Sequence, residues 1–110
     1  MPQKDKKLIS VIIPCYNEEE NVAAAFKAVK NVFDSSLKAY DFEVVFTDNH
    51  SEDKTFEEIS KLAKTHKNVK AVRFTRNFGF NKSVLTGYRL ASGDAAIQMD
   101  CDLQDFPTIY

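Results

Sequence analysis

What most limits the folds open to this chain is a regular alternation between two hydrophobic periods. Residues 8–13 (Leu-Ile-Ser-Val-Ile-Ile) form a short run rich in β-branched side chains that Pro14 ends, the pattern of a buried strand. Val22, Phe26, Val29 and Phe33 then recur at spacings of four, three and four, which is one apolar stripe on a helix. Asn17, with Glu20 three residues on, reads as a capping box that opens this helix. Residues 42–47 make a second strand, broken by the polar cluster 48–53, with Ser51 and Asp53 as the expected caps of a helix marked by Phe56, Ile59 and Ala63. A third strand is expected at 69–74. Residues 79–92 read as a third helix with Val84, Gly87, Tyr88 and Ala91 on its inner face and Gly93 as its stop. Residues 95–99 form a fourth strand that runs into Asp100-Cys101-Asp102.

Strands separated by helices of this length must run parallel, with helices covering both faces of the sheet. The expected fold is therefore a three-layer α/β/α sandwich, Rossmann-like, with a mainly parallel sheet. The 110 residues have room for one domain, taken as 1–110. Because the acidic segment is followed by only a few residues and no closing element, the chain is expected to be the truncated N-terminal part of a longer protein. An uncovered apolar sheet edge would then leave a surface for self-association into a homo-oligomer.

Charge excludes some partners. The formal net charge is −1, so no broad basic surface is available for nucleic acid, and any bound anion must be held locally. Two cysteines, Cys15 and Cys101, are too few for a disulfide-stapled scaffold, and a reducing, cytoplasmic setting is the default. The apolar run after the charged N-terminus reads as too short for a signal peptide, and no run reaches the ~20 apolar residues that a membrane span requires.

In open parallel sheets, ligands sit beyond the carboxyl ends of the strands. This rule selects residues 14–20, 48–53, 76–81 and 100–105. In Asp100-Cys101-Asp102, strand alternation would aim both carboxylates at one cation and turn Cys101 inward. Two close carboxylates repel unless a cation or proton lies between them, and Mg²⁺ or Mn²⁺ prefers such oxygen ligands while leaving room for phosphates. Gln104 would add a neutral oxygen. Asp48 could accept a hydrogen bond from a base or ribose, its bland alternative being an Asx turn. Tyr16 could pack on a nucleobase and Glu18 could contact the nucleotide, although near a helix start Glu18 also complements the dipole. Arg76 suits a phosphate or a surface ion pair, and His50 and His66 are expected to be surface residues. If the first and fourth strands are neighbours, Cys15 and Cys101 lie close together, most simply as small buried apolar side chains.

Taken together, these segments resemble glycosyltransferase family 2. Residues 11–21 (Val-Ile-Ile-Pro-Cys-Tyr-Asn-Glu-Glu-Glu-Asn) are similar to its opening block, and 48–55 (Asp-Asn-His-Ser-Glu-Asp-Lys-Thr) to its second, with Asn49 in place of an acid. Arg76-Asn77-Phe78-Gly79, Ala91-Ser92-Gly93-Asp94 and Met99-Asp100-Cys101-Asp102-Leu103-Gln104-Asp105 resemble later blocks, the last that of the polyprenyl-phosphate branch. Phe106 stands where many relatives have a second proline before Pro107. The resemblance implies a GT-A fold and transfer of a sugar from a UDP- or GDP-sugar by a metal-dependent inverting mechanism. It implies that Pro14, Tyr16, Glu18 and Asp48 line the nucleotide pocket, and that the segment Asp100, Cys101, Asp102 binds the donor. Asp100, Asp102 and Gln104 would hold Mg²⁺ or Mn²⁺. The implied acceptor is polyprenyl phosphate, with a polysaccharide acceptor or an inactive binding module as alternatives. The catalytic base and any membrane helices would lie beyond Tyr110, so the fragment alone would bind donor rather than turn it over.

Rival chemistries fail on spacing. A dinucleotide oxidoreductase needs a glycine-rich first turn, whereas here that loop holds three glutamates and no glycine. The same lack excludes a nucleotidyltransferase loop. A receiver domain would carry its acidic pair after the first strand.

Overall fold

The computed structural model describes residues 6–102. Its elements run β1 (Lys7–Cys15), α1 (Val22–Ser35), β2 (Tyr40–Asp48), α2 (Thr55–Thr65), β3 (Val69–Arg73), α3 (Phe80–Leu90) and β4 (Ala95–Gln98). The sheet order is β3-β2-β1-β4, and all three ladders are parallel. The expected alternation and parallel sheet are therefore present, and strand order reverses at β1, between β2 and β4.

Each face of the sheet has its own covering. Val11, Ile13, Val44 and Phe46 pack with Val22, Phe26, Val29 and Phe33 of α1 and Ile59 of α2. All four stripe residues of α1 are buried, so the helical period located this face correctly. Burying one such aromatic or branched side chain contributes about 1.5–3 kcal/mol. The His66 ring, at the end of α2, packs against Phe26 at 4.6 Å rather than lying wholly on the surface. On the opposite face α3 approaches β1 and β2 through Gly87 and Ser83. A Cβ at Gly87 would overlap Ile12 Cγ2, and the Ser83 and Thr47 hydroxyls hydrogen-bond at 2.8 Å.

The inner face of α3 departs from expectation. Ser83 and Gly87 are buried, whereas Tyr88 is 41% exposed and Val84 only half-buried. The helix stops at Leu90, before Gly93. Close approach to the sheet selects the small side chains, and the larger ones flank the contact. The start of α1 also differs. Its N-cap is Asn21, with no side-chain cap, and Asn17 sits outside the helix at φ 52°. Asn17 Oδ1 instead accepts the Glu52 N–H, so the expected capping box does not form.

A polar hub fixes where β4 begins. Glu43, 6% exposed, accepts hydrogen bonds from Ser10 Oγ (2.6 Å) and the Ser92 N–H (2.6 Å) and pairs with Lys70 at 3.0 Å. Burial pushes its carboxyl up, but the bonds from Ser10, Ser92 and Lys70 outweigh that and hold it below the usual carboxylate range. Asp94 takes the Leu8 N–H and gives its own N–H to Leu8 O, which sets β4 against β1. Among the described residues, no helix is long and apolar enough to cross a membrane.

Candidate functional site at the carboxyl edge

The reversal of strand order falls between the carboxyl ends of β1 and β4, where sheets of this topology have their ligand crevice. The β1–β4 register pairs Ile12 with Gln98, and the Met99 N–H still donates to Ile12 O. Carrying that register three residues further opposes Cys15 to Cys101. The neighbouring Cys101 thiol, with burial next, pushes the Cys15 thiol well above its ordinary range, and Cys15 Sγ donates to Ile13 O at 3.6 Å. Both are free and buried, in the core cluster of the α1–α2 face.

Asp100 and Asp102 flank the anchored Cys101. Burial alternates along the segment: Met99 is buried, Asp100 half-buried, Cys101 buried and Asp102 exposed. Yet β4 ends at Gln98 and residues 101–102 form a turn, so the two carboxylates follow the strand rather than sit on it. Among the described residues, no group of three His, Cys, Asp or Glu side chains is placed to hold a metal ion. Gln104, like Leu103, Asp105, Phe106 and Pro107, lies outside the described residues.

Asp48, the last residue of β2, is fully enclosed. Its Oδ1 accepts from the Ser51 N–H (3.1 Å) and from the Ser51 hydroxyl, so the Asx-turn role is real. Its Oδ2 is buried and accepts no hydrogen bond, with Arg73 Nε 3.4 Å away as its ionic partner. Neither expected cap, Ser51 or Asp53, is the N-cap of α2, which is Lys54, but Asp53 just before it still engages the first helical residue. It accepts the Thr55 N–H at 2.9 Å, while the Ser51 hydroxyl is used by Asp48 and by the Asn17 N–H. Burial pushes the Asp53 carboxyl up, but bonds from Thr55 and the Glu19 N–H keep it below its usual value.

Loop 16–20 is tied down to this region. The Glu18 N–H donates to Thr55 Oγ1 at 2.8 Å, and Glu18 Oε2 accepts from Asn21 Nδ2 at 3.0 Å. Tyr16 stays 43% exposed on the wall of a pocket of about 290 Å³ that Pro14, Cys15, Asn49, Asn77, Gly79 and Phe80 also line. Arg76 stacks over the Phe78 ring at 4.4 Å, and His50 is exposed. A larger groove, about 600 Å³ and lined by Lys6, Phe33 and Tyr40 among others, lies at the amino ends of the strands, away from these loops.

Pro14, Tyr16 and the expected acidic segment thus share one sheet edge, with Asp48 buried at that same edge. Arg73, Asn49 and Asn77 were missed as members of the site. An arginine ending β3 beside an acid ending β2 was the available signal, since the ladder pairs Asp48 with Arg73.

Comparison with known proteins identifies the family and the fold. A family model described as "Glycosyl transferase family 2" matches residues 10–109. A bactoprenol glucosyl transferase of Shigella phage SfV is 41% identical over 97 residues, covering 88% of this chain and 31% of that protein. A dolichol-phosphate mannosyltransferase of Pyrococcus furiosus is 38% identical over 101 residues, covering 92% of this chain and 27% of that protein. The chain therefore spans less than a third of these curated relatives. Among solved structures, the mannosyltransferase PcManGT from Pyrobaculum calidifontis, in complex with GDP-Man and Mn²⁺, superposes with a TM-score of 0.75 at 26% identity, over 88% of this chain and 28% of that one. The α/β sandwich is of the GT-A type, and the chain belongs to glycosyltransferase family 2.

Proposed function

We propose that this chain is the donor-binding part of a glycosyltransferase that passes a sugar from a UDP- or GDP-sugar to a polyprenyl phosphate. The observation that carries the reading is Asp48 Oδ2, a buried carboxylate oxygen that accepts no hydrogen bond. Leaving such a group without a donor costs about 1–3 kcal/mol, and the N–H edge of uracil or guanine supplies one. Arg73, its ionic partner, has a side chain 44% exposed and also donates to Ser51 O at 3.1 Å, so a base would join this pair at its open side. Tyr16 offers a ring face at the rim, with Pro14 just before it in β1 and Glu18 on the same loop.

The diphosphate then extends across the β1–β4 crevice toward Asp100 and Asp102. Their carboxylates are the hard oxygen donors that Mg²⁺ or Mn²⁺ takes, and the buried neighbours Met99 and Cys101 anchor the segment that carries them. Gln104 completes the proposed ligand set. When bound, such an ion stabilises charge on the departing diphosphate. In inverting transfer, the bond from the anomeric carbon to the diphosphate oxygen breaks as an acceptor oxygen bonds to the opposite face. A lipid-phosphate oxyanion is already deprotonated and needs no general base from this chain. The names of the two curated relatives support the lipid acceptor. With that acceptor the domain would work at a membrane surface, on the cytoplasmic side in this reading, and residues beyond Tyr110 would complete the acceptor side.

Calorimetric titration with GDP-mannose and UDP-glucose in Mn²⁺ tests the reading. Wild type should bind at least one of them, and Asp100→Ala should bind it about tenfold or more weakly. Equal affinity in both proteins refutes it.

A further inference from the structure

The formal net charge of −1 conceals a partition. Between Glu58 and Asp94 the sequence places eight of its fifteen Lys and Arg residues and none of its sixteen Asp and Glu residues. In the fold, Lys61 pairs with Glu58, Lys70 with Glu43 and Arg73 with Asp48. Arg76, Lys82 and Arg89 are exposed, and among the described residues none of the three pairs with a carboxylate. All three lie in α3 or in the turn just before it.

The same stretch carries Phe78, Phe80, Leu85, Tyr88 and Leu90, large apolar side chains that are each between 37% and 56% exposed. Ser83 and Gly87 hold one side of α3 on the sheet. At 3.6 residues per turn, Leu85 projects from the opposite side, with Tyr88 to one flank and Lys82 and Arg89 to the other. At the start of the helix, Arg76 and Lys82 sit 4.4 and 5.8 Å from the centroid of the Phe78 ring, so cations and aromatic form one patch. Exposed apolar side chains set beside cations, with no acid on the helix, suit a lipid interface. The apolar groups enter the headgroup boundary while the cations meet lipid phosphates. Nucleic acid would engage the cations but leave Leu85, at the centre of the face, without a counterpart.

We propose that the outer face of α3, with the turn before it, docks on an anionic phospholipid surface. The inference goes beyond the donor-site reading and stands on charge and exposure alone. Co-flotation with vesicles of phosphatidylcholine, or of phosphatidylcholine and phosphatidylglycerol in equal parts, tests it. The chain should bind the phosphatidylglycerol vesicles at low salt, release as salt rises, and not bind phosphatidylcholine alone. Lys82→Gln combined with Arg89→Gln should weaken binding about tenfold or more, since each cation near such a surface contributes a factor of about five. Lys64→Gln combined with Lys67→Gln, on the α2 side, should leave it unchanged. The sequence contains no Trp, so Leu85→Trp is a single reporter whose emission should shift to the blue on those vesicles. Absence of binding to phosphatidylglycerol, equal loss in the two double variants, or an unshifted tryptophan overturns the proposal, as does tighter binding to a DNA duplex than to the vesicles. A chain that floats with vesicles but binds no sugar nucleotide sinks the donor-site reading alone, and one that binds nucleotide but not vesicles sinks this inference alone.

Discussion

The two faces of the sheet are covered in opposite ways. On one, α1 and α2 press large side chains, Phe26, Phe33, Val29 and Ile59, onto Val11, Ile13, Val44 and Phe46. On the other, α3 reaches the sheet through a glycine and a serine, while Phe80, Leu85, Tyr88 and Leu90 stay exposed. Burial on the first face is apolar and extensive. Contact on the second is narrow, held by the Thr47–Ser83 hydrogen bond and by the Glu43 hub. The α1–α2 face carries most of the hydrophobic stabilisation, and the α3 face sets distance and register for the loops that form the pocket.

The largest effect should come from hollowing the apolar face. Phe46 is fully buried there, and Phe46→Ala should lose about 3–5 kcal/mol of unfolding free energy in denaturant titration. A loss no greater than that of a surface substitution would erase the contrast between the faces. Overpacking the α3 face should cost less. Gly87→Ala sets a methyl group against Ile12 Cγ2 and should destabilise by about 1–3 kcal/mol. A neutral result would mean that α3 can lift off without penalty.

The smallest effect should be that of Glu43→Gln, about 1–2 kcal/mol at pH 7. Its sign with pH is fixed by linkage. The folded carboxyl lies below its unfolded value, so its stabilisation is complete above that unfolded value, about 4.3. It is lost as pH falls through the lower folded value. Wild type and variant should therefore converge in stability on acidification, and a gap that stays constant down to pH 2 would remove Glu43 as the anchor of that face.

The same contrast explains what could be read from the chain alone. Val22, Phe26, Val29 and Phe33 announce their helix because burial there depends on apolar area, which periodicity reports directly. On the inner face of α3 the helical period places Gly87 correctly but misses Ser83 and includes Tyr88, because close approach rewards smallness and Ser83 carries no hydrophobic signal. At the carboxyl edge, the strand-end rule picks out segments 14–20, 48–53 and 100–102, and the fold does bring these to one edge of the sheet. The partnerships of Asp48 with Ser51 and Arg73, and of Asn49 with Asn77, depend on how loops distant in sequence meet. Local spacing holds no record of that. Asn17 shows the converse: its capping signal is genuine chemistry, but the carboxamide finds the Glu52 N–H across the crevice edge instead.

The central claim is that the base site at the end of β2 and the metal-bearing phosphate site after β4 face one ligand across the carboxyl end of β1. Paramagnetic broadening of backbone amides by Mn²⁺ in the presence of UDP tests it most directly. Broadening should be strongest at Asp100, Cys101 and Asp102 and should reach Cys15 and Tyr16 across the crevice. Broadening centred on Glu18–Glu20 or around Asp41, with residues 100–102 untouched, would contradict the account.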